Sequence, residues 1–169
     1  MTDQIINWND LIEECLRATP FGCLATSGHE GVWANPVYFS WDQKGNLYFT
    51  SMLKTQHMQN IKSSPDVSFA IFKTEPDANG DVKGLQIKGS AEILSREDDI
   101  HNAFSYYFGR IYPDLKPQYG DKIDNPYAYD AEWHLTKIAP DKIFIFDTRF
   151  FGEERTATPY PNIQLSCLY

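Results

Sequence analysis

Thr50, Ser51, Thr55, Gln56 and His57 gather three hydroxyls, a carboxamide and an ionisable ring in one short stretch. Two aromatic and β-branched runs of strand length, 47–51 and 66–72, flank it, and 55–61 between them reads as a short helix. Thr55 suits the N-cap, where a hydroxyl accepts from the open backbone N–H groups of a first turn. Hydroxyls, open N–H groups and an imidazole at a helix start are the parts of an anion site, and a phosphate monoester suits it. The same residues also describe an ordinary strand–helix–strand connection with a capping Thr and a surface His, which is the stronger reading of this stretch alone. Other chemistry is thinner. His29, His57, His101 and His134 are scattered, and Asp98-Asp99 beside His101 reads as a solvated helix start. Asp77, Asn79 and Asp81 around Gly80 suggest a calcium loop without its closing Glu, hence a surface turn. There is no GxSxG, HExxH or GxGxxG, so no catalytic side chain and no metal site is assigned.

The elements that must position this stretch follow from periodicity. Residues 8–19 place Leu11, Ile12, Cys15 and Leu16 on one helix face, with Asn7 or Asn9 as cap and Pro20 as stop. Strands are expected at 21–26 and at 32–41, the latter interrupted at Asn35-Pro36 by an edge or bulge, because proline cannot donate to a ladder. Residues 42–46 form a turn, and 74–83 a polar hairpin loop. Residues 84–93 alternate apolar and polar, the mark of a strand with one buried face. Ser95 and Asp98 resemble a capping box opening a helix to about residue 110 that buries Ile100, Ala103, Phe104 and Tyr107. The Pro-, Asp- and Tyr-rich segment 111–130 is expected to be an ordered loop packed on another surface, with a second subunit as one candidate. Strands at 133–139 and 142–147 meet at Pro140-Asp141, and the tail from Thr148 is irregular. Short strands at hairpin spacing, without βαβ alternation, predict an antiparallel barrel with peripheral helices.

Length and composition bound the rest. The 169 residues fit a single domain, and the net charge of −8 argues against nucleic acid or an anionic membrane as partner. An anionic ligand then needs a local positive pocket. Cys15, Cys23 and Cys167 are odd in number and widely spaced, so neither a disulfide framework nor a zinc site is expected. Cys15 on the apolar helix face and Cys23 inside a strand both read as core. With no signal-like start and no membrane-length apolar run, a soluble cytoplasmic protein is expected.

Taken together, Asn35-Pro36-Val37-Tyr38-Phe39, Asp42-Gln43-Lys44-Gly45, Tyr48-Phe49-Thr50-Ser51, Thr55-Gln56-His57, Asn60-Ile61, Pro65-Asp66-Val67-Ser68 and Gly84-Leu85-Gln86-Ile87-Lys88-Gly89-Ser90-Ala91-Glu92 resemble the pyridoxamine 5'-phosphate oxidase-like, FMN-binding split-barrel family. The likeness spans residues 20–95, with a weaker echo at Trp133, Lys137-Ile138 and Pro140. It implies a six-stranded antiparallel Greek-key split barrel and a homodimer holding FMN at the subunit interface. By matching positions, the backbone of Asn35, Pro36, Val37 and Tyr38 runs along the isoalloxazine. Thr50 and Ser51 approach the phosphate or ribityl chain, Thr55, Gln56 and His57 grip the phosphate, and Gln86 and Lys88 reach the ring or phosphate. On this resemblance the phosphate reading of 55–57 overtakes the plain connection. Ala34 stands where these oxidases carry Arg, Thr-Gln-His replaces Ser-Arg-Lys, and Lys137 replaces a final Arg whose bidentate contact it cannot make. Lys54 or Lys88 would then supply the charge. The expectation is an FMN-dependent oxidoreductase or flavin reductase rather than a vitamin B6 phosphate oxidase, with the small-molecule substrate on the exposed flavin face. Aromatic residues of 111–130, or Phe150 and Phe151, are expected to cover that face. The alternative is a non-catalytic flavin or tetrapyrrole (haem) binder on the same fold, although the tail offers no axial His.

Overall fold

A computed structural model of the chain describes residues 6–73, 75, 78–113 and 132–167. Asn7 caps α1 (Trp8–Arg17), which buries Leu11, Ile12, Cys15 and Leu16 as its spacing predicts. The chain continues through β1 (Phe21–Gly28), β2 (Gly31–Tyr38), β3 (Ser40–Trp41), β4 (Leu47–Met52), α2 (Gln56–Ser63), β5 (Asp66–Phe72) and β6 (Lys83–Ile93). After α3 (Glu97–Ile111) come β7 (Trp133–Asp147), a one-turn α4 (Thr148–Phe151) and β8 (Arg155–Ala157). All pairs are antiparallel, in the order β2-β1-β5-β6-β7-β4-β3, with β8 added beside β7. The sheet curls into a split barrel of eight described strands where the resemblance implied six: the 32–41 run divides into β2 and β3, the two runs within 133–147 join as β7, and β8 is added.

Alternation sorts side chains to the two faces of this sheet. Leu24, Phe39, Phe49, Phe69, Leu85, Ile87, Ile138 and Ile145 point inward and are almost fully buried, packed with the α1 face and with Met58 and Ile61 of α2. Full burial of one such side chain contributes about 1.5–3 kcal/mol, so this interior, not the turns, sets the stability. The tail is not loose, since Ile163 and Leu165 complete the same core. On the outer side, α3 covers one end of the sheet by packing Phe104 and Tyr107 on Tyr48 and Leu135. No side-chain cap forms at Arg96, the residue preceding α3, so the expected Ser95 box is not made; Glu97, Asp98 and Asp99 instead favour the helix start through the dipole.

One proline reading holds and one changes. Of the edge or bulge expected at Asn35-Pro36, the edge is found: Pro36 lies opposite Cys23 in unbroken register on β2, an edge strand of the sheet. The break comes at Phe39, between β2 and β3. Pro140-Asp141 does not separate two strands; β7 runs through it with a bulge. Lys88 faces Lys142 and Gly89 faces Pro140, which leaves Asp141 as the extra residue. A Cβ at Gly89 would collide with the Ala139 carbonyl oxygen, so glycine is what lets the bulge close. Gly89→Ala is expected to cost about 1–3 kcal/mol of unfolding free energy in urea denaturation. A neutral outcome would mean that the bulge relaxes freely.

Candidate functional site

The 50–57 corner folds in on itself. Period-two alternation sends Thr50 toward α3, where its hydroxyl donates to Tyr107 Oη at 3.2 Å, while Ser51 points into the barrel. Ser51 Oγ lies 2.8 Å from His57 Nε2, and Thr55 Oγ1 lies 3.3 Å from the same nitrogen. Thr55 occupies the N-cap position, but its hydroxyl donates to Met52 O at 2.8 Å and makes no cap bond to the first turn. His57 is buried rather than on the surface, because α2 turns His57, Met58, Asn60 and Ile61 to the interior. The Gln56 carboxamide donates to Asn60 Oδ1, and Asn60 Nδ2 donates to Thr26 Oγ1. Burial holds the His57 ring below the usual imidazole range, so it is neutral near pH 7 and brings no fixed charge.

That depressed ring carries a stability consequence. The folded state binds its proton more weakly than the unfolded chain, whose imidazole titrates at 6.5. Stability from this group is therefore complete above that value and falls as pH drops through it toward the lower folded value. The melting temperature is expected to decline as pH falls below 6.5, ahead of the carboxylates. His57→Gln should flatten that decline, and an unchanged slope in the variant would exclude His57 as its source.

The positive charge lies elsewhere, on the outer face of the sheet. Gln86 and Lys88 of β6 point outward together, and Lys142 and Phe144 of β7 lie beside them. They border a groove of about 530 Å³ whose floor includes the small residues Cys23, Ala25, Ser68 and Ala70, and no acidic residue lines it. A shallower hollow of about 240 Å³, also bordered by Ala25, Ser68 and Lys88, extends it toward Val32 and brings in one carboxylate, Asp66. Arg155 of β8 reaches in from the far side. Its guanidinium carbon lies 4.9 Å from the Phe144 ring centroid, and its Nη1 donates to Gln86 Oε1 at 3.3 Å. Lys88 and Lys142 are cross-strand partners, and among the described residues neither pairs with a carboxylate. Like charges directly opposite cost a strand pair roughly 0.2–1 kcal/mol, which an anion between them would relieve.

Beyond the groove the same face is apolar and open. Phe21 and Tyr38, 44% and 43% exposed, meet at a 35° tilt with centroids 4.1 Å apart, and Phe72 is exposed as well. The predicted residues thus separate. Gln86 and Lys88 line the groove, Pro36 and Tyr38 share its face by alternation on β2, Asn35 and Val37 alternate to the opposite side, and the 50–57 group sits at the α2 corner. Cys23 is not core: Leu24 and Thr26 take the inward positions and leave its half-buried thiol on the groove floor. Cys15 is core, and burial pushes its thiol up to about 12. Lys142 and Arg155 escaped the sequence reading. Their only signal is register across β6, β7 and β8, which no local motif carries. The Tyr-rich loop, with Tyr119, Tyr127 and Tyr129, lies outside the described residues, as does Asp77 of the supposed calcium turn.

Residues 9–144 match the family profile of pyridoxamine 5'-phosphate oxidase. The chain belongs to that family. No curated protein matches it as a close relative. Among solved structures, a conserved hypothetical protein from Mycobacterium tuberculosis is 18% identical with a TM-score of 0.66, over 94% of this chain and 95% of that one. A haem-binding protein from Mycobacterium smegmatis is 18% identical at TM-score 0.65, over 92% of this chain and 59% of that one. An FAD-binding protein from Mesorhizobium loti is 18% identical at TM-score 0.60, over 80% and 91%. At these identities the likeness shows the split-barrel fold. No helix among the described residues is long and apolar enough to cross a membrane.

Proposed function

We propose that this member of the pyridoxamine 5'-phosphate oxidase family is an FMN-dependent oxidoreductase acting on a small molecule, as a homodimer in the cytoplasm. The observation that carries the reading is a basic groove with a flat floor of small side chains, set in an open sheet face of an otherwise acidic chain. The donor set fits the cofactor. Its volume lies within the roughly 300–1,000 Å³ of small-molecule sites, the floor suits a planar ring, and Gln86 and Lys88 offer a carboxamide and a cation toward it. Bound there, FMN supplies the redox chemistry of its ring, while the chain supplies position and electrostatics. Lys88 places positive charge beside the ring, and Gln86, steadied by Arg155, orients it. On the edge strand Pro36 and Tyr38 face the side on which the ring lies, and Asn35 and Val37 offer it backbone alone. The phosphate falls to the first turn of α2 of either protomer, with Gln56 and the Thr55 hydroxyl beside it, while Ser51 stays turned into the barrel against His57. Thr50, turned toward α3, and the neutral His57 give less there than their residue types suggest. The exposed Phe21, Tyr38 and Phe72 form an apolar patch of the kind that marks a partner surface, and a second copy of the chain is the proposed cover.

Titration of the purified protein with FMN, followed by flavin fluorescence and a visible spectrum, tests the reading. We expect saturable FMN binding and bleaching of the bound flavin on adding NADPH or a related donor. A protein that ignores FMN but takes up haem with a Soret band would overturn it in favour of tetrapyrrole binding. That second reading has one specific support in the groove, where the Cys23 thiol is a soft donor on the floor.

A further inference from the structure

Asn79 and Gly80 lie exposed between β5 and β6, outside both the core and the groove. We propose that Asn79 is a site of spontaneous covalent modification, where its carboxamide becomes the carboxylate of aspartate or isoaspartate. Water is the co-reactant and ammonia the leaving group, and the site is independent of the FMN reading.

Sequence and structure converge on this one residue. Asn79 is the single asparagine of the chain that precedes a glycine. Both residues are exposed, and among the described residues the Asn79 carboxamide has no hydrogen-bond partner. Gly80 sits at φ 76° with open space where a Cβ would stand, so no side chain obstructs the approach of its main-chain nitrogen. That nitrogen attacks Asn79 Cγ within the same chain, which removes the entropic cost of bringing two reactants together. The new N–Cγ bond closes a five-membered ring, the Cγ–Nδ2 bond breaks, and the Gly80 N–H proton leaves with ammonia. Water then adds to one of the two ring carbonyls. Scission of the N–Cγ bond gives aspartate, while scission between Gly80 N and the Asn79 main-chain carbonyl carbon gives isoaspartate. Three other asparagines are held back by contrast. Asn46 and Asn60 are buried and donate to Asp42 and Thr26, and Asn35 precedes Pro36, which has no N–H to use. Just before β6, Val82 N donates to Thr148 Oγ1 and Thr148 N donates to Val82 O, both at 3.1 Å. This clasp stands between Asn79 and β6. The added charge, and in isoaspartate the added main-chain methylene, therefore stay in the exposed turn. The protein records its age in charge and keeps its groove.

The purified protein, held in mildly alkaline buffer and sampled over days, is digested and read by peptide mass spectrometry that separates aspartate from isoaspartate. Asn102, exposed on α3 but followed by Ala103, is the internal reference. Asn79 should convert at least about tenfold faster than Asn102. The rate should rise with pH, because the attacking nitrogen must lose its proton. Asn79→Gln should suppress the conversion at this position, since its longer side chain needs a larger ring. Asn79→Asp, which is one of the products, should keep the wild-type melting temperature and change FMN affinity by less than about twofold. Equal rates at Asn79 and Asn102 would overturn the proposal. A lowered melting temperature in Asn79→Asp would overturn the confinement of the change to the turn.

Discussion

Replacing Arg110 by alanine is expected to remove about 3 kcal/mol of unfolding free energy in urea denaturation, the largest loss from any single polar side chain. Arg110 leaves the last turn of α3 and crosses to the start of the sheet. Its Nη1 donates to Phe39 O at 2.6 Å, and its Nη2 donates to Leu16 O at 2.6 Å and Thr19 O at 2.8 Å. The guanidinium carbon lies 4.3 Å from the ring centroids of both Phe39 and Trp41. One cation thus ties the C-termini of α1 and α3 to the break between β2 and β3, satisfying carbonyls that have no ladder partner. Alanine strands those carbonyls and uncovers two aromatic faces. Arg110→Lys should recover less than half of the loss, because an ammonium cannot serve three divergent acceptors and stack at once. Full recovery by lysine would mean that charge alone matters there.

The second large effect concerns the ligand. Lys88→Glu is expected to weaken FMN binding about a hundredfold, which corresponds to about 3 kcal/mol, because it turns an attractive charge repulsive inside the groove. The fold should not suffer. Lys88 is exposed, and opposite Lys142 a carboxylate makes a better cross-strand neighbour than a second ammonium. The expected signature is therefore lost FMN affinity with an unchanged or raised melting temperature. A loss of both together would point to misfolding rather than to the groove.

Much of this molecule was legible as period and punctuation. The alternation of 84–93 and the helix face of Leu11, Ile12, Cys15 and Leu16 appear as written, because burial on one side imposes its period on the chain. Cys23 was misread for want of the same rule, since Gly22, Leu24 and Thr26 already hold the inward phase of β1. Pro140-Asp141 resembled a turn, yet β7 carries it as a bulge; the glycine that permits this, Gly89, lies on the facing strand and far away in sequence. His57 looked like a surface residue among polar neighbours, whereas the 3.6-residue period of α2 places it with Met58 and Ile61 inside. The 50–57 stretch offers the residue types of an anion site, but a strand sends adjacent hydroxyls to opposite faces, and Thr50 and Ser51 separate accordingly. The cations that the acidic composition demanded were Lys142 and Arg155 beside Lys88, which only the pairing of β6, β7 and β8 assembles.

The central claim is that a flavin lies on the floor of the outer groove, and Cys23 reports on that floor. Its alkylation by iodoacetamide, followed by peptide mass spectrometry as FMN is added, is the most direct measurement, with the half-buried Cys167 on the tail as internal reference. FMN should slow modification of Cys23 in proportion to its occupancy and leave Cys167 unchanged. Saturation with FMN while Cys23 reacts at its unliganded rate would place the flavin elsewhere and contradict the account.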